Sequence, residues 1–148
     1  MKNQKMAFSK EYKDLAKIIV SKFRDENFKN YLEYKEYCLQ TSKDDFEKRF
    51  ENMAEDLALI EKERFEFYNS LSKKQSDSLD KLILNSFDDT AFNVLREIEE
   101  NLNEAKSIGL TVNGQPIEKI RNEFWSGACF GEYFLWLEQK SNYGKYQH

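Results

Sequence analysis

SKDDFEKRFENMAEDLALIEKERFEFYNSL, residues 42–71, carries the most regular apolar pattern, around which the rest of the chain is organised. Its apolar residues fall at Phe46, Phe50, Met53, Leu57, Ile60, Phe67 and Leu71, alternately four and three apart with one step missed at Arg64. A repeat of seven lays a continuous apolar stripe along one face of a helix, and Glu47, Lys48, Glu51, Glu55, Asp56, Glu61, Lys62 and Glu63 fall on the faces turned to water. The spacing predicts one long central helix over 42–71, covered by the rest of the chain. Ser42 and Asp45 read as a capping pair: the hydroxyl takes a free amide of the first turn, and the carboxylate answers the amide of the cap. A seven-residue repeat does not say whether its stripe meets its own chain or another, so self-association is open too.

Upstream, Phe8, Tyr12, Leu15, Ile18, Ile19 and Phe23 keep helical spacing and predict a first amphipathic helix over about 3–25. A second stretch, Phe28 to Leu39, carries Tyr31, Tyr34 and Tyr37 three apart, an aromatic row on one helix face. Two readings of that row compete. The rings pack under the central helix with their hydroxyls reaching water, or with Lys29 and Lys35 they form a stacking platform for bases.

Downstream, Ser72 and Gln75 repeat the capping-box pattern, so a helix begins at Lys73, carries Leu79, Leu82 and Ile83, and stops near Asn85. Ser86 to Thr90 then offers capping side chains for a further helix with Phe92, Leu95, Ile98 and Leu102 inward. Between Ile108 and Ile117 the pattern changes. Asn113-Gly114 between short β-prone runs predicts a small hairpin, because a two-residue turn of the required hand needs positive φ at both positions, and its apolar side should rest on the helices. A last helical segment opens at Pro116 or Ile117 and runs to about 140 as one helix or two, before a polar, frayed tail over 141–148. The expected fold is mainly α: a single-domain helical bundle over 1–148, of five to seven helices with a small β-hairpin near 108–117.

Composition agrees with that size and class. The chain has 148 residues, 40% apolar and 15% aromatic, which is ample material for a core. Proline occurs only at 116 and four of the five glycines lie between Gly109 and Gly131, so nothing before residue 108 strongly interrupts a helix. Cys38 and Cys129 do not make a disulfide framework, which points to a reducing cytoplasm. The first residues lack the apolar core of a signal peptide and no uncharged run reaches bilayer length, so no membrane partner is expected. A net charge of −4 argues against a general affinity for nucleic-acid phosphates.

Catalytic chemistry is sparse. The only histidine is His148, the last residue, and no Cys/His cluster, phosphate loop or His-Glu-x-x-His pattern is present, so no metal or other cofactor is expected. Gly127-Ala128-Cys129-Phe130-Gly131 has the outline of a nucleophile elbow, but a charged helical pattern precedes it and no internal histidine can take the proton. Small residues at a helix contact, with an inert cysteine, account for it. The paired carboxylates at Asp44/Asp45, Asp88/Asp89 and Glu99/Glu100 are sequence neighbours that point apart on a helix, as solvated faces and caps do. The protein is expected to be no enzyme. The enzyme alternative would use such carboxylates or Cys129.

What stands out is charge. Residues 86–104 hold six acids, Asp88, Asp89, Glu97, Glu99, Glu100 and Glu104, against the single base Arg96, a sum of −5. These six are the candidate binding residues, since a dense negative surface can occupy the basic cleft of a nuclease or other phosphate-binding protein. Met1 to Glu36 carries about +3, so the nucleic-acid or regulatory alternative uses Lys10, Lys13 and Lys17 with the tyrosine row. The run Phe87-Asp-Asp-Thr-Ala-Phe-Asn-Val-Leu-Arg-Glu-Ile-Glu-Glu-Asn101, in a small, acidic, aromatic-rich chain, resembles the bacterial immunity proteins that neutralise toxins of interbacterial competition systems. The resemblance implies a cytoplasmic inhibitor whose partner is a toxin or nuclease effector, and it assigns no residue a role.

Overall fold

The computed structural model describes residues 10–104, 111–116 and 129–144, except the side chains of 99, 101–104, 116 and 129–131. The chain is mainly helical, as the periodicity predicts. α1 (Lys10–Lys17) runs directly into a π-helix (Ile18–Asp25) and on into α2 (Glu26–Gln40). α3 (Lys43–Arg49), α4 (Glu55–Ser70) and α5 (Lys73–Glu104) follow, then the antiparallel pair β1 (Thr111–Val112) and β2 (Gln115–Pro116), then α6 (Cys129–Lys140). Contacts gather into two compact units, Met1–Asn27 with Leu84–His148, and Phe28–Ile83.

In the first unit Tyr12, Leu15, Ala16 and Val20 pack against Ala91 and Leu95 of α5, Val112 of β1 and Tyr133, Trp136 and Leu137 of α6. Tyr12 meets Trp136 edge to face at 5.8 Å, the geometry favoured by ring quadrupoles. A π-helix adds a residue to each turn, so past Val20 the inward face advances to Arg24 and Asp25, both buried, while Ile18 and Phe23 are exposed. That corrects the expected stripe, which assumed an unchanged period. The part of the first helix expected before Lys10 lies outside the described residues.

The hairpin forms where Asn113-Gly114 predicts it, with φ of 51° and 76°. Thr111 faces Pro116 and Val112 faces Gln115. Val112 is buried in the helical core, so the ribbon rests on the helices as expected, and Asn113 Nδ2 donates to Asp14 Oδ2 at 2.6 Å.

The break expected between Asn85 and Ser86 is absent: α5 is one helix of 32 residues, the longest described. The side chains read as caps find partners that suit an uninterrupted helix. Asn85 Nδ2 donates to Asp89 Oδ2 one turn on at 2.9 Å, and the Thr90 hydroxyl donates back to the Ser86 carbonyl at 2.7 Å. Leu84, Asp88, Ala91 and Leu95 are buried at steps of four, three and four, one face carried straight through the expected boundary.

The second unit corrects the long central helix over 42–71. The helix stops at Arg49, turns through Phe50 to Ala54, and restarts at Glu55. Phe50 N–H donates to the Glu47 carbonyl at 3.0 Å, Met53 N–H donates to the Phe50 carbonyl at 2.9 Å, and Ala54 is extended. The turn brings Phe65 onto Phe46 at 4.2 Å between ring centres, whereas on one straight helix their 19-residue separation would hold them roughly 28 Å apart. Cys38, Phe46 and Phe65 form this unit's core, with Tyr34, Tyr37, Phe50 and Tyr68 against it. Of the predicted stripe only Phe46 is buried, and Met53, Leu57, Ile60 and Phe67 are exposed.

Both caps form. Ser42 Oγ accepts from Asp45 N–H at 3.2 Å, but the Asp45 carboxylate takes the Ser42 hydroxyl at 2.7 Å in place of the cap amide. Ser72 N–H donates to Gln75 Oε1 at 2.9 Å and Gln75 N–H to Ser72 Oγ at 3.3 Å, the reciprocal box the spacing predicts.

Candidate functional site

Charge gathers first around Arg24, which the π-helix turns inward. All five guanidinium N–H groups are used: Nε and Nη2 donate to the Asp88 carboxylate at 2.5 and 3.1 Å, Nη1 to Asp25 at 3.0 Å and Ser141 Oγ at 2.7 Å, and Nη2 to the Gly144 carbonyl at 2.8 Å. Tyr133 of α6 donates to Asp88 Oδ1 at 2.6 Å, and the Ser141 hydroxyl and Asn142 N–H donate to Asp25 at 2.9 and 2.7 Å. The segment 141–144, expected as part of a frayed tail, is therefore tied to the π-helix. Residues 145–148, His148 among them, lie outside the described residues.

Burial lowers the affinity of Arg24 for its proton, but the hydrogen bond and charge of Asp88 outweigh it and the net shift is upward. With every donor saturated the cluster has no face left for a ligand. It acts as a clasp joining the π-helix, α5, α6 and the turn after α6.

The Tyr133 phenol is pushed well above its usual range, chiefly by burial and then by its bond to Asp88. The folded state thus holds this proton after an unfolded tyrosine, with its pKa of about 10, has released it. Stability should be fully present below that pH and fall above it, by about 1.4 kcal/mol per pH unit for one proton. Urea unfolding between pH 9 and 11 should show a shallower decline for Tyr133→Phe than for the unaltered chain. Equal slopes would contradict this.

The tyrosine row is packed, as one of its two readings held, and two of its three hydroxyls meet carboxylates. Tyr31 donates to Asp80 at 2.7 Å, where Lys35 Nζ also donates at 2.6 Å, and Tyr34 donates to Glu61. Burial first, and these bonds second, push both phenols far up. Tyr37 stacks under the Arg49 guanidinium at 4.9 Å. Lys10, Lys13 and Lys17 are exposed on α1. Cys38 is buried, and burial pushes its thiol up, away from reactivity. The side chain of Cys129 lies outside the described residues. Among the described residues no three His, Cys, Asp or Glu gather as a metal site, and no helix is long and apolar enough to cross a membrane.

The six predicted binding acids separate. Asp88 is buried in the clasp and presents nothing to a partner, because its position falls on the core face of α5. Asp89, Glu97 and Glu100 are exposed on the outward side, with Arg96 3.5 Å from Glu97 and 3.9 Å from Glu100. The side chains of Glu99 and Glu104 lie outside the described residues.

One feature the acid reading misses is apolar. α4 buries Phe65, with Ala58, Glu61 and Tyr68 half-buried beside it, and turns Leu57, Ile60 and Phe67 outward at 52%, 44% and 49% exposure. Phe67 and Leu71 continue into a groove of about 480 Å³ shared with Lys74, Ser78, Leu79 and Leu82 of α5. The seven-residue repeat was its signal, while the break before α4 and the outward direction of the stripe were hidden. No protein-family model, curated protein or solved structure matches the chain.

Proposed function

We propose that this protein works by binding another protein and blocking it, as an immunity or antitoxin-like inhibitor of a toxin or nuclease. The observation that carries the reading is the outward side of α5. Asp89, Glu97 and Glu100 project there, while the opposite side is fixed by buried Leu84, Asp88, Ala91 and Leu95. Acids held on a helix whose other face is locked need little ordering when a basic cleft arrives, so charge complementarity raises both encounter rate and specificity. A cleft shaped for phosphates would find carboxylates in their place.

The test is a Glu97→Lys/Glu100→Lys variant against a panel of effector toxins and nucleases, with complex formation followed by gel filtration and by titration at two salt concentrations. The unaltered chain should bind one of them, more weakly as salt rises, and the variant should lose at least tenfold in affinity. A partner bound equally well by both chains, or no partner in the panel, counts against the acidic face.

A further inference from the structure

The exposed face of α4 has a shape and a charge that together select an occupant. Leu57, Ile60 and Phe67 follow the seam of a helix pair, a and d positions with Arg64 at the intervening a, and Leu71 follows in extended backbone just past the helix end. Leu57, Ile60 and Phe67 are exposed, and the far side of the same helix is anchored by Phe65. Asp56 and Glu63, both exposed, lie along one flank of the seam. On the other flank Glu61 pairs with Arg64 at 2.9 Å, leaving that base partly neutralised. α4 itself, Glu55–Ser70, carries five acids and two bases, a local charge of −3.

From these observations we propose that the α4 face is a docking site for a partner protein's amphipathic helix, apolar along one stripe and flanked by lysine or arginine. The seam from Leu57 to Phe67 is roughly 15 Å long, so about three turns of partner helix would cover it. Apolar anchors at i, i+3 and i+7 supply the contact, and basic flanks answer Asp56 and Glu63. A second copy of this chain fits less well. Packed antiparallel over the seam, it would set Asp56 and Glu63 against their own counterparts, and like charges across such a seam repel. The inference rests on the proposed function only in taking the occupant to be a protein, and it concerns different residues.

Two synthetic 18-residue helices test it on the full chain, each with leucine at a and d, one with lysine and the other with glutamate at e and g. Binding is read by fluorescence anisotropy at low salt. The lysine peptide should bind, and the glutamate peptide should bind at least tenfold more weakly. Ile60→Asp should weaken the lysine peptide at least tenfold although it adds a negative charge, whereas mere attraction between opposite charges would strengthen it. Asp56→Lys/Glu63→Lys should reverse the preference between the peptides. Equal binding of the two peptides, binding unchanged by Ile60→Asp, or no binding overturns the site. So does a dimer, seen by sedimentation, that Ile60→Asp dissolves, since the face then belongs to a second copy. Circular dichroism of each variant verifies that the helices persist, and Phe67→Asp repeats the measurement should Ile60→Asp lose them. The two ideas fail separately, because the α5 acids are intact in Ile60→Asp and α4 is intact in Glu97→Lys/Glu100→Lys.

Discussion

Replacing Arg24 with methionine should lower the unfolding free energy by about 3–5 kcal/mol, the range for removing one partner of a buried ion pair. Arg24 is 0% exposed and its five donors serve Asp88, Asp25, Ser141 and Gly144. Without it, two buried carboxylates face each other's charge with only the Tyr133 and Ser141 hydroxyls and the Asn142 amide to answer them. The loss belongs to the stranded acids more than to the pair itself. Adding Asp88→Leu to Arg24→Met should therefore restore part of the stability, although each change alone destabilises. Urea unfolding of the two single variants and the double variant closes the cycle. A loss under about 1 kcal/mol for Arg24→Met would mean that the cluster is wet.

The second large effect separates two aromatic neighbours. Phe65→Ala should cost about 3–5 kcal/mol, because a buried ring stacked on Phe46 leaves a cavity that the small core of the second unit cannot close. Phe67→Ala should cost less than about 1 kcal/mol, since that ring is 49% exposed. The heptad reading of 42–71 as one straight helix demands the reverse order, with Phe67 in the stripe and Phe65 outside it. Comparing the two denaturation midpoints decides the matter, and a larger loss at Phe67 would restore the unbroken helix.

These two cases mark where the residues were legible. Features set by neighbours along the chain came through: the Ser72/Gln75 box, the Ser42 cap, and the Asn113-Gly114 turn with both φ values positive. Each depends on a few adjacent groups whose chemistry allows few alternatives. Features set by distant partners did not. Asp88 looks like an N-cap and a surface acid until Arg24, 64 residues away, takes it inward. The π-helix moves the buried face from Phe23 to Arg24 without any glycine or proline to announce it. Likewise, the turn at 50–54 holds no strong breaker, and the gain that stabilises it is the contact of Phe46 with Phe65. Of the candidate site, the acids at 89, 97 and 100 were legible as a class of surface. The α4 face was legible as a stripe, but its outward direction required the fold.

If the molecule works by occupying another protein, as proposed, an inhibition titration will show it. The full chain is added in steps to a toxin nuclease that it binds, and cleavage of a labelled nucleic acid is followed. Cleavage should fall in proportion to added chain and end near one equivalent, with Glu97→Lys/Glu100→Lys needing at least tenfold more chain for the same effect. Undiminished cleavage at a severalfold excess of unaltered chain would contradict it.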